Sequence, residues 1–415
     1  MKIPFSPPDI SNVEIEEVVD TLKSGWITTG PKTKKFEQML GEFIGNKNVV
    51  CLNSQTACQE MALRVMGIGE GDEVITSAYT YSASASVIDH IGAKIVFIDL
   101  SKNTLEMDYD ALEKAITEKT KAIIPVDIGG IPCNYDKIFE IVNKKKDLFK
   151  PNSDMQKALG RIAVMADCAH SLGASVKGVM AGRLADFSSF SFHAVKNLTT
   201  GEGGACAWNS IDGISDEEIY KKFQLLSLHG QNKDARAKMQ PGAWEYDIIN
   251  PWYKCNMTDI MAAIGIGQLK RYSGMLSRRR EMIEKFDSAF RPLGVKTLNH
   301  YTDTYLSSGH LYITRIPNID AKTRNEIIIK MAEMGVSCNV HYKPLPMMTA
   351  YKNLGFDIKN YPNAYEMYEN EITLPLNTIL TDEMVDYIID CGNIENDLTS
   401  TIIRVENNSA VCGNV

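Results

Sequence analysis

Two residues in the middle of the chain, Asp167 and Lys196, are of the types that could do chemistry together. Asp167 ends the apolar run Ile162–Asp167, and a carboxylate buried at the end of a strand is costly unless it has a partner. It can pair with a cationic ring nitrogen of a bound ligand, or simply cap the turn that follows. Lys196 lies on a loop between Ser191 and the glycine-rich turn Gly201–Gly204. In a crevice such a lysine can form an imine with a carbonyl compound, whereas a surface lysine beside a flexible turn is the alternative.

Two further segments could hold other parts of a ligand. Ser54, Gln55 and Thr56 join the first predicted strand to a helix. Main-chain N–H groups and hydroxyls at a helix N-terminus bind phosphate readily, although an ordinary N-cap would use the same residue types. Tyr81 follows the second predicted strand, where an aromatic side chain could stack on a planar ring or belong to the core.

The elements that position these residues alternate between short apolar strands and helices from about residue 48 to 208. The predicted strands are Asn48–Leu52, Glu73–Thr76, Lys94–Ile98, Ala122–Val126, Ile162–Asp167, Phe187–Phe192 and Ala205–Trp208. The predicted helices between the earlier strands are Thr56–Met66, Ala83–Ile91, Tyr109–Ile116 and Asp136–Asn143. This alternation predicts an α/β fold with a mostly parallel sheet covered by helices. Ligands of such sheets lie at the carboxyl ends of the strands, which is where the candidate residues fall.

The second half of the chain predicts a smaller C-terminal domain. A long helix is expected over Thr258–Leu293, followed by a strand at Gly309–Ile316, a helix at Ala321–Met334 and a strand at Val336–His341. The segment Lys144–Leu159 interrupts the earlier alternation and is interpreted as an insertion or surface loop. We predict a large domain over residues 12–270, a small domain over 271–400 on which residues 1–11 pack, and a tail over 401–415.

Composition excludes several classes of function. The net charge of −8 and the pI of about 5.5 argue against nucleic acid as a partner. No apolar run is long enough to span a membrane, and the start of the chain lacks the apolar core of a signal peptide. The nine cysteines form no C-x-x-C pair and the seven histidines have no metal-ligand spacing, so no metal site is expected. A cytoplasmic location is the natural interpretation.

Taken together, several segments resemble the DegT/StrS group of pyridoxal-phosphate-dependent nucleotide-sugar aminotransferases, within the aspartate-aminotransferase-like fold. The resemblance covers most of the chain. It rests on these segments: Gly25–Pro31, Ala166–Ala174, Ser191–Asn197 with Gly201–Gly204, Tyr253–Asp259 with Gln268–Leu269, Val340–Pro344 and Leu374–Leu376. It implies a fold type I transferase, in which a three-layer αβα large domain with a mostly parallel mixed sheet is joined to a small α+β domain.

The resemblance also implies roles for individual residues. Lys196 would form the imine with pyridoxal 5′-phosphate, and Asp167 would pair with the ring nitrogen. The other implied cofactor contacts are His170 beside the ring, Tyr81 stacked on it, Ser54, Gln55, Thr56 and Ser191 on the phosphate, and Lys254 or Asn256 from a neighbouring subunit. A homodimer with shared active sites would follow.

The resemblance further implies an amino donor, usually L-glutamate, and a nucleotide-linked keto-sugar as acceptor, in the synthesis of an amino sugar for a polysaccharide, glycan or antibiotic. His341, Tyr342 and Lys343 are candidate substrate contacts. Two departures stand out, because the family commonly has glycine where Gln55 stands and an aromatic residue where Cys255 stands. A dehydratase branch has histidine in place of the imine-forming lysine, so Lys196 favours transamination. The alternatives are a dehydratase or aromatising enzyme of the same family and a regulatory binding protein without turnover.

Overall fold

A computed structural model describes residues 1–233 and 245–393 of the chain. Its strands are β1 (Val49–Leu52), β2 (Glu73–Ser77), β3 (Lys94–Ile98), β4 (Thr120–Ile124), β5 (Ala163–Asp167), β6 (Ser175–Val176), β7 (Val179–Met180), β8 (Phe187–Ser191), β9 (Gly204–Trp208), β10 (Lys296–Thr297), β11 (Tyr305–Leu306), β12 (Tyr312–Arg315) and β13 (Glu371–Leu374). Its helices are α1 (Asn12–Ser24), α2 (Pro31–Ile44), α3 (Gln55–Val65), α4 (Ala83–His90), α5 (Tyr109–Ala115), α6 (Tyr135–Lys144), α7 (Asp154–Leu159), α8 (Asp216–Ser227), α9 (Asp259–Phe290), α10 (Ala321–Glu333), α11 (Thr349–Asn353) and α12 (Pro362–Glu369).

The main sheet has seven strands in the order β1-β9-β8-β5-β4-β2-β3. Neighbouring strands from β8 to β3 are parallel, and β9 is antiparallel to both of its neighbours. Alternate residues of β5 enter two different apolar clusters, with Val164 and Ala166 in one and Ala163 and Met165 in the other. Because successive side chains of a strand point to opposite faces, both faces of the sheet are buried, as a three-layer α/β fold requires.

A third apolar cluster gathers around the end of α9 and the three-stranded antiparallel sheet β10-β12-β13. Met282 and Phe286 of α9 pack there with Tyr312 of β12. Ile3 of the N-terminal segment belongs to the same cluster, and its main-chain N–H donates to the carbonyl of Gly335 at 2.7 Å. The predicted boundary at residue 270 falls inside α9, which continues through it without a break, and the predicted tail 401–415 lies outside the described residues.

Two predictions of local structure are wrong. Val336–His341 is not a strand, because within residues 1–233 and 245–393 the segment makes only isolated bridges, from Val336 to Ile3 and from Asn339 to Thr373. The segment Lys144–Leu159 is not a surface loop, because it contains the end of α6, a short 3₁₀ turn and α7. Within it Gln156 is fully buried and donates to the carbonyl of Met66 at 3.1 Å, so the segment packs against the end of α3.

The predicted strand Gly309–Ile316 is shorter than expected, because β12 begins only at Tyr312. The residues before β12 form a loop that binds a buried side chain instead of pairing with a strand. The main-chain carbonyls of Gly309 and His310 accept hydrogen bonds from the guanidinium of Arg279 at 3.1 and 3.3 Å. Among the helices of the described residues, we find none with the length and apolar character needed to cross a bilayer.

Candidate active site

A cavity of about 470 Å³ lies at the carboxyl ends of β5 and β8. Ten of the predicted site residues line it: Ser54, Gln55, Thr56, Tyr81, Asp167, His170, Ser191, Lys196, His341 and Tyr342. A more open cavity of about 690 Å³ lies against α2 and α8 and contains none of the predicted residues. The topology therefore brings residues that are almost 300 positions apart in sequence to one crevice.

Asp167 is the last residue of β5, and its side chain is buried, with 4% exposed. One carboxylate oxygen accepts from the hydroxyl of Ser84 at 2.7 Å and the other from the main-chain N–H of Ala169 at 3.1 Å. Burial raises the pKa of Asp167, while the Ser84 hydrogen bond and the charge of Lys196 act in the opposite direction. Both of these hydrogen-bond donors are neutral, so the carboxylate still favours a cationic partner in the cavity.

Lys196 lies on the loop after β8, and its amine faces the same cavity as Asp167. The loop is held by main-chain hydrogen bonds, in which Lys196 N donates to the carbonyl of His193 at 2.9 Å. Burial lowers the pKa of the Lys196 amine to about 8, and the nearby carboxylate of Asp167 limits the effect. Near pH 8 a large share of these amines is therefore neutral, which is the form that attacks carbonyl carbon and accepts protons.

The polar end of the cavity is formed by the N-terminus of α3. Ser54 caps the helix by accepting from Ala57 N at 3.0 Å, and Gln55 and Thr56 are its first residues. The side chain of Gln55 turns inward, where it donates to Gln59 at 3.3 Å and helps to stabilise the ionised form of Asp167, while the main-chain N–H groups of this first turn can bind a ligand. A Cβ on Gly204 would lie 2.4 Å from Gln55 N, so only glycine lets β9 approach this turn so closely.

His170 and Tyr342 form a hydrogen-bonded pair across the cavity. The main-chain N–H of Gly129 donates to His170 Nδ1 at 3.2 Å, so the neutral ring carries its proton on Nε2. Nε2 in turn lies 3.1 Å from the hydroxyl of Tyr342, which therefore accepts from it. Burial and the Lys196 charge hold the pKa of His170 well below its usual range, so the ring stays neutral. The hydroxyl proton of Tyr342 remains for another acceptor.

Tyr81 is 64% exposed, and its ring centroid lies 6.0 Å from that of Tyr342 at the mouth of the cavity. A side chain with this exposure does not belong to the core, so the alternative interpretation of Tyr81 as a core residue is wrong. Its position leaves it free to cover a planar ligand, as the resemblance implies.

Four residues near the cavity were missed by the sequence reasoning. Ser84, on the first turn of α4, donates to Asp167, and His310 packs its ring 4.2 Å from that of His170. Phe5 and Ser6 of the N-terminal segment line the cavity, where Ser6 donates to the carbonyl of Val195 at 3.0 Å. The N-terminal segment carried no signal for this role, whereas the pair Ser82 and Ser84 beside Tyr81 could have been noticed.

Three predicted residues do not line this cavity. Lys343 is exposed and lies beyond it. Lys254 is exposed and donates to Asn256, which in turn donates to Thr29 at 2.6 Å. Lys254 and Asn256 lie on either side of Cys255, whose carbonyl accepts from Asn53 N at 2.8 Å. Their side chains do not line the cavity of their own subunit.

The residues present fit pyridoxal 5′-phosphate. Free N–H groups and hydroxyls at the start of α3 suit a phosphate, and Asp167 lacks the cationic hydrogen-bond partner that a protonated ring nitrogen would supply. Lys196 offers the one amine that lines the cavity in the described part of the chain. The described residues hold no group of three or more acidic, histidine or cysteine side chains that could bind a metal.

Comparison with known proteins gives a family and several relatives. Residues 8–392 match the DegT/DnrJ/EryC1/StrS aminotransferase family. The structure of "Putative sugar aminotransferase Spr1654" from Streptococcus pneumoniae, in its PMP form, is 57% identical with a TM-score of 0.93 over 95% of this chain and 99% of that one. Its PLP form is 55% identical with a TM-score of 0.92, covering 96% of this chain and 99% of that one.

Two further relatives are more distant. The spore coat polysaccharide biosynthesis protein SpsC of Bacillus subtilis is 38% identical over 94% of this chain and 95% of its own length. Helicobacter pylori PseC, an aminotransferase involved in the biosynthesis of pseudoaminic acid, is 26% identical with a TM-score of 0.82, over 96% of this chain and 100% of that one. The predictions of the family, of the fold type I α/β architecture, of a PLP-dependent transaminase and of pyridoxal 5′-phosphate as cofactor are confirmed.

Proposed function

The chain belongs to the DegT/DnrJ/EryC1/StrS aminotransferase family, and we propose that it moves an amino group from L-glutamate to a nucleotide-linked keto-sugar. The observation that carries this proposal is the convergence of Asp167 and Lys196 in one cavity, between the N-terminus of α3 and the pair His170 and Tyr342. Similarity to SpsC supports a place in the synthesis of an amino sugar for a polysaccharide.

The cofactor supplies an electron sink when it is bound, and the chain's own residues do the rest. Asp167, ionised, would hold a proton on the ring nitrogen and so keep the sink strong. Lys196 would anchor the cofactor, and after its release the amine would take a proton from the donor Cα and return it at another position, as a general base and then acid. A pKa near 8 lets the same amine perform both transfers close to neutral pH.

The substrate would occupy the part of the cavity beyond the ring. We assign His341 and Tyr342 to that part, together with His310 and Phe5, since all four line the cavity. Their polar atoms suit the hydroxyl groups of a sugar, and Lys343, which is exposed outside the cavity, is retained as a candidate partner for the diphosphate.

We also propose a homodimer with shared active sites. Lys254 and Asn256 lie outside their own cavity, on a segment whose neighbours Ile248, Ile249 and Tyr253 are 39–50% exposed. Apolar side chains exposed side by side favour burial against a second copy. Mixing Lys196→Ala subunits with Lys254→Ala/Asn256→Ala subunits should restore activity in hybrid dimers. No restoration after confirmed subunit exchange would contradict a shared site.

A cytoplasmic location is proposed on the chemistry of the cysteines. No disulfide joins any of the cysteines in residues 1–233 and 245–393, and most of these cysteines are buried, as is usual for proteins of a reducing compartment.

The reaction is tested in two halves. First, glutamate is added to the holoenzyme, and conversion of the bound cofactor to its amino form is followed by absorbance and by release of 2-oxoglutarate. Second, nucleotide keto-sugars are offered to the aminated enzyme and the products are read by mass spectrometry. A product in which oxygen is replaced by NH₂ supports the proposal. Loss of water without nitrogen gain would indicate a dehydratase, and no conversion by any amino acid would contradict transamination.

A further inference from the structure

A buried line of polar groups ends on His341, at the wall of the cavity. It begins at Glu371 and Thr373 of β13, both of them fully buried. The hydroxyl of Thr373 donates to one carboxylate oxygen of Glu371, and His341 Nδ1 lies 2.9 Å from that hydroxyl oxygen. The other carboxylate oxygen accepts from the main-chain N–H of His341 at 2.9 Å. Two residues apart on a strand, Glu371 and Thr373 present their side chains to the same face, where His341 packs.

While Glu371 is ionised, counting the protons along this line fixes which ring nitrogen of His341 carries the proton. An ionised carboxylate can only accept, so the single hydroxyl proton of Thr373 points to Glu371. The hydroxyl oxygen must then accept from His341, which places the ring proton on Nδ1. Burial and the Lys196 charge lower the pKa of His341 to about 3, so the ring is neutral and Nε2 bears a lone pair. Nε2 has no hydrogen-bond partner among residues 1–233 and 245–393, while the ring lines the cavity and stacks on Phe5, with centroids 5.5 Å apart.

We propose that Glu371, acting through Thr373, is a positioning residue that keeps the proton of His341 on Nδ1, so that Nε2 accepts a hydrogen bond from a hydroxyl group of the sugar substrate. The inference rests on the proposed function, because it takes the acceptor substrate to be a sugar. With a lone pair on Nε2, His341 can bind only a substrate group that donates a hydrogen bond. The proposal therefore excludes a contact between Nε2 and an ionised phosphate oxygen, which can only accept.

The same line is sensitive to protonation of Glu371. Burial raises the pKa of Glu371 to about 7, against the hydrogen bonds from Thr373 and His341 and the charge of Arg324. Once protonated, Glu371 donates to Thr373, whose own proton then turns to Nδ1 and leaves the ring proton on Nε2. The charged and titratable groups around the line come from each packed element. They include Arg324 of α10, Tyr79 before α4, Cys338 and Tyr342 on the segment that carries His341, and His170, His310 and Lys196 across the cavity.

One substitution reverses the direction of the hydrogen bonds along the line with almost no change in side-chain shape. In Glu371→Gln the main-chain N–H of His341 still needs an acceptor, so the amide oxygen faces it and the NH₂ group faces Thr373. Thr373 then accepts from the amide and donates to Nδ1, which puts the ring proton on Nε2 at every pH. Thr373→Val removes the link altogether, and Thr373→Ser keeps it as the matched control.

The direct test is ¹⁵N NMR of protein labelled at the histidine rings, with the seven histidines separated by comparison with His341→Gln. At pH 8.5 the wild type and Thr373→Ser should carry the proton on Nδ1, Glu371→Gln on Nε2, and Thr373→Val a mixture. The wild-type signal should cross to the Nε2 form as the pH falls through about 7. A proton on Nε2 in the wild type at pH 8.5, or the same tautomer in Glu371→Gln as in the wild type, would overturn the proposal.

Kinetics separate this inference from the proposed function. Glu371→Gln should raise KM for the sugar acceptor about tenfold, the size of one lost hydrogen bond to a substrate group, and Thr373→Val, in which part of the protein keeps the ring proton on Nδ1, should raise it by less. The glutamate half-reaction should stay within twofold of the wild type, since no sugar is present. An unchanged KM in both variants would refute the contact, whereas failure of every keto-sugar with the wild type would refute the proposed function and leave the NMR result standing.

Discussion

Replacing Asp167 by asparagine isolates the charge on which the proposed chemistry depends. Asparagine has nearly the same shape, and its carbonyl oxygen can still accept from Ser84 or Ala169, which donate to Asp167 at 2.7 and 3.1 Å. It cannot attract a proton to the ring nitrogen as a carboxylate does. We therefore expect Asp167→Asn to fold normally, to bind the cofactor and to lose most of its turnover.

The size of the loss follows from electrostatics. Two unit charges about 4 Å apart interact with roughly 4 kcal/mol at an effective dielectric constant of about 20. That corresponds to about 3 pKa units at the ring nitrogen, so the protonated fraction falls by up to about a thousandfold at a pH above its new pKa. Turnover should accordingly fall by roughly a hundredfold to a thousandfold. Little of this loss should be recovered by raising the concentration of either substrate.

Although Asp167→Asn should lose turnover, its apo form should not lose folding stability. Burial raises the pKa of Asp167, so in the cofactor-free protein the folded state holds the proton more tightly than the unfolded state does. The folded protein therefore loses stability from this group as the pH rises from the unfolded pKa, near 4, through the raised folded pKa. Asparagine has no such loss. The apo form of Asp167→Asn should be at least as resistant to urea at pH 7.5 as the wild-type apo form.

Asp186→Asn is the matched control. Asp186 is also a buried carboxylate, but it lies outside the cavity and accepts from Arg161 in two hydrogen bonds of 2.7 Å. Its loss should lower the free energy of unfolding by about 2 kcal/mol and leave kcat within twofold. The assay is urea unfolding of the apo forms beside kcat of the holo forms. Turnover of Asp167→Asn within threefold of the wild type would refute the reasoning.

Three further predictions test single contacts. The rate at which apoenzyme becomes covalently loaded with pyridoxal phosphate should rise with pH through about 8, where the Lys196 amine loses its proton, and a flat profile between pH 6.5 and 9.5 would contradict that assignment. Ser84→Ala removes the 2.7 Å donor to Asp167 and so raises the pKa of that carboxyl further; kcat should fall about tenfold near pH 7 and less at pH 9, and an equal loss at both would count against it. Gly204→Ala places a Cβ 2.4 Å from Gln55 N, so the Kd for the cofactor, measured by fluorescence titration, should rise at least tenfold, and an unchanged Kd would show that this turn does not hold the phosphate.

Much of the sheet could be predicted because its strands are short buried runs with turn residues between them. β3 begins and ends where the pattern placed it, at Lys94 and Ile98, and β5 differs by one residue. The pattern failed at Val336–His341, where apolar and polar residues alternate as in a strand. A strand also needs a continuous main-chain partner, and among the described residues this segment forms bridges only with Ile3 and Thr373. Such long-range pairing leaves no trace in the local pattern.

The candidate site was predicted unevenly for a related reason. Asp167 and Lys196 follow neighbouring strands, so the rule that parallel strands end at one edge placed them together. His341 and Tyr342 reach the cavity while the adjacent Lys343 does not, and a motif by itself does not say which of three consecutive side chains turns inward. The line from Glu371 to His341 joins residues 30 positions apart across two segments, and only the packed structure reveals it.

The central claim is that Lys196 anchors a vitamin B6 ring whose nitrogen faces Asp167. Borohydride reduction of the holoenzyme, followed by peptide mapping in a mass spectrometer, tests it most directly. The account predicts a pyridoxyl group on the peptide that contains Lys196, and none on that peptide in Lys196→Ala. A pyridoxyl group on another lysine of the wild type, with Lys196 unmodified, would contradict it.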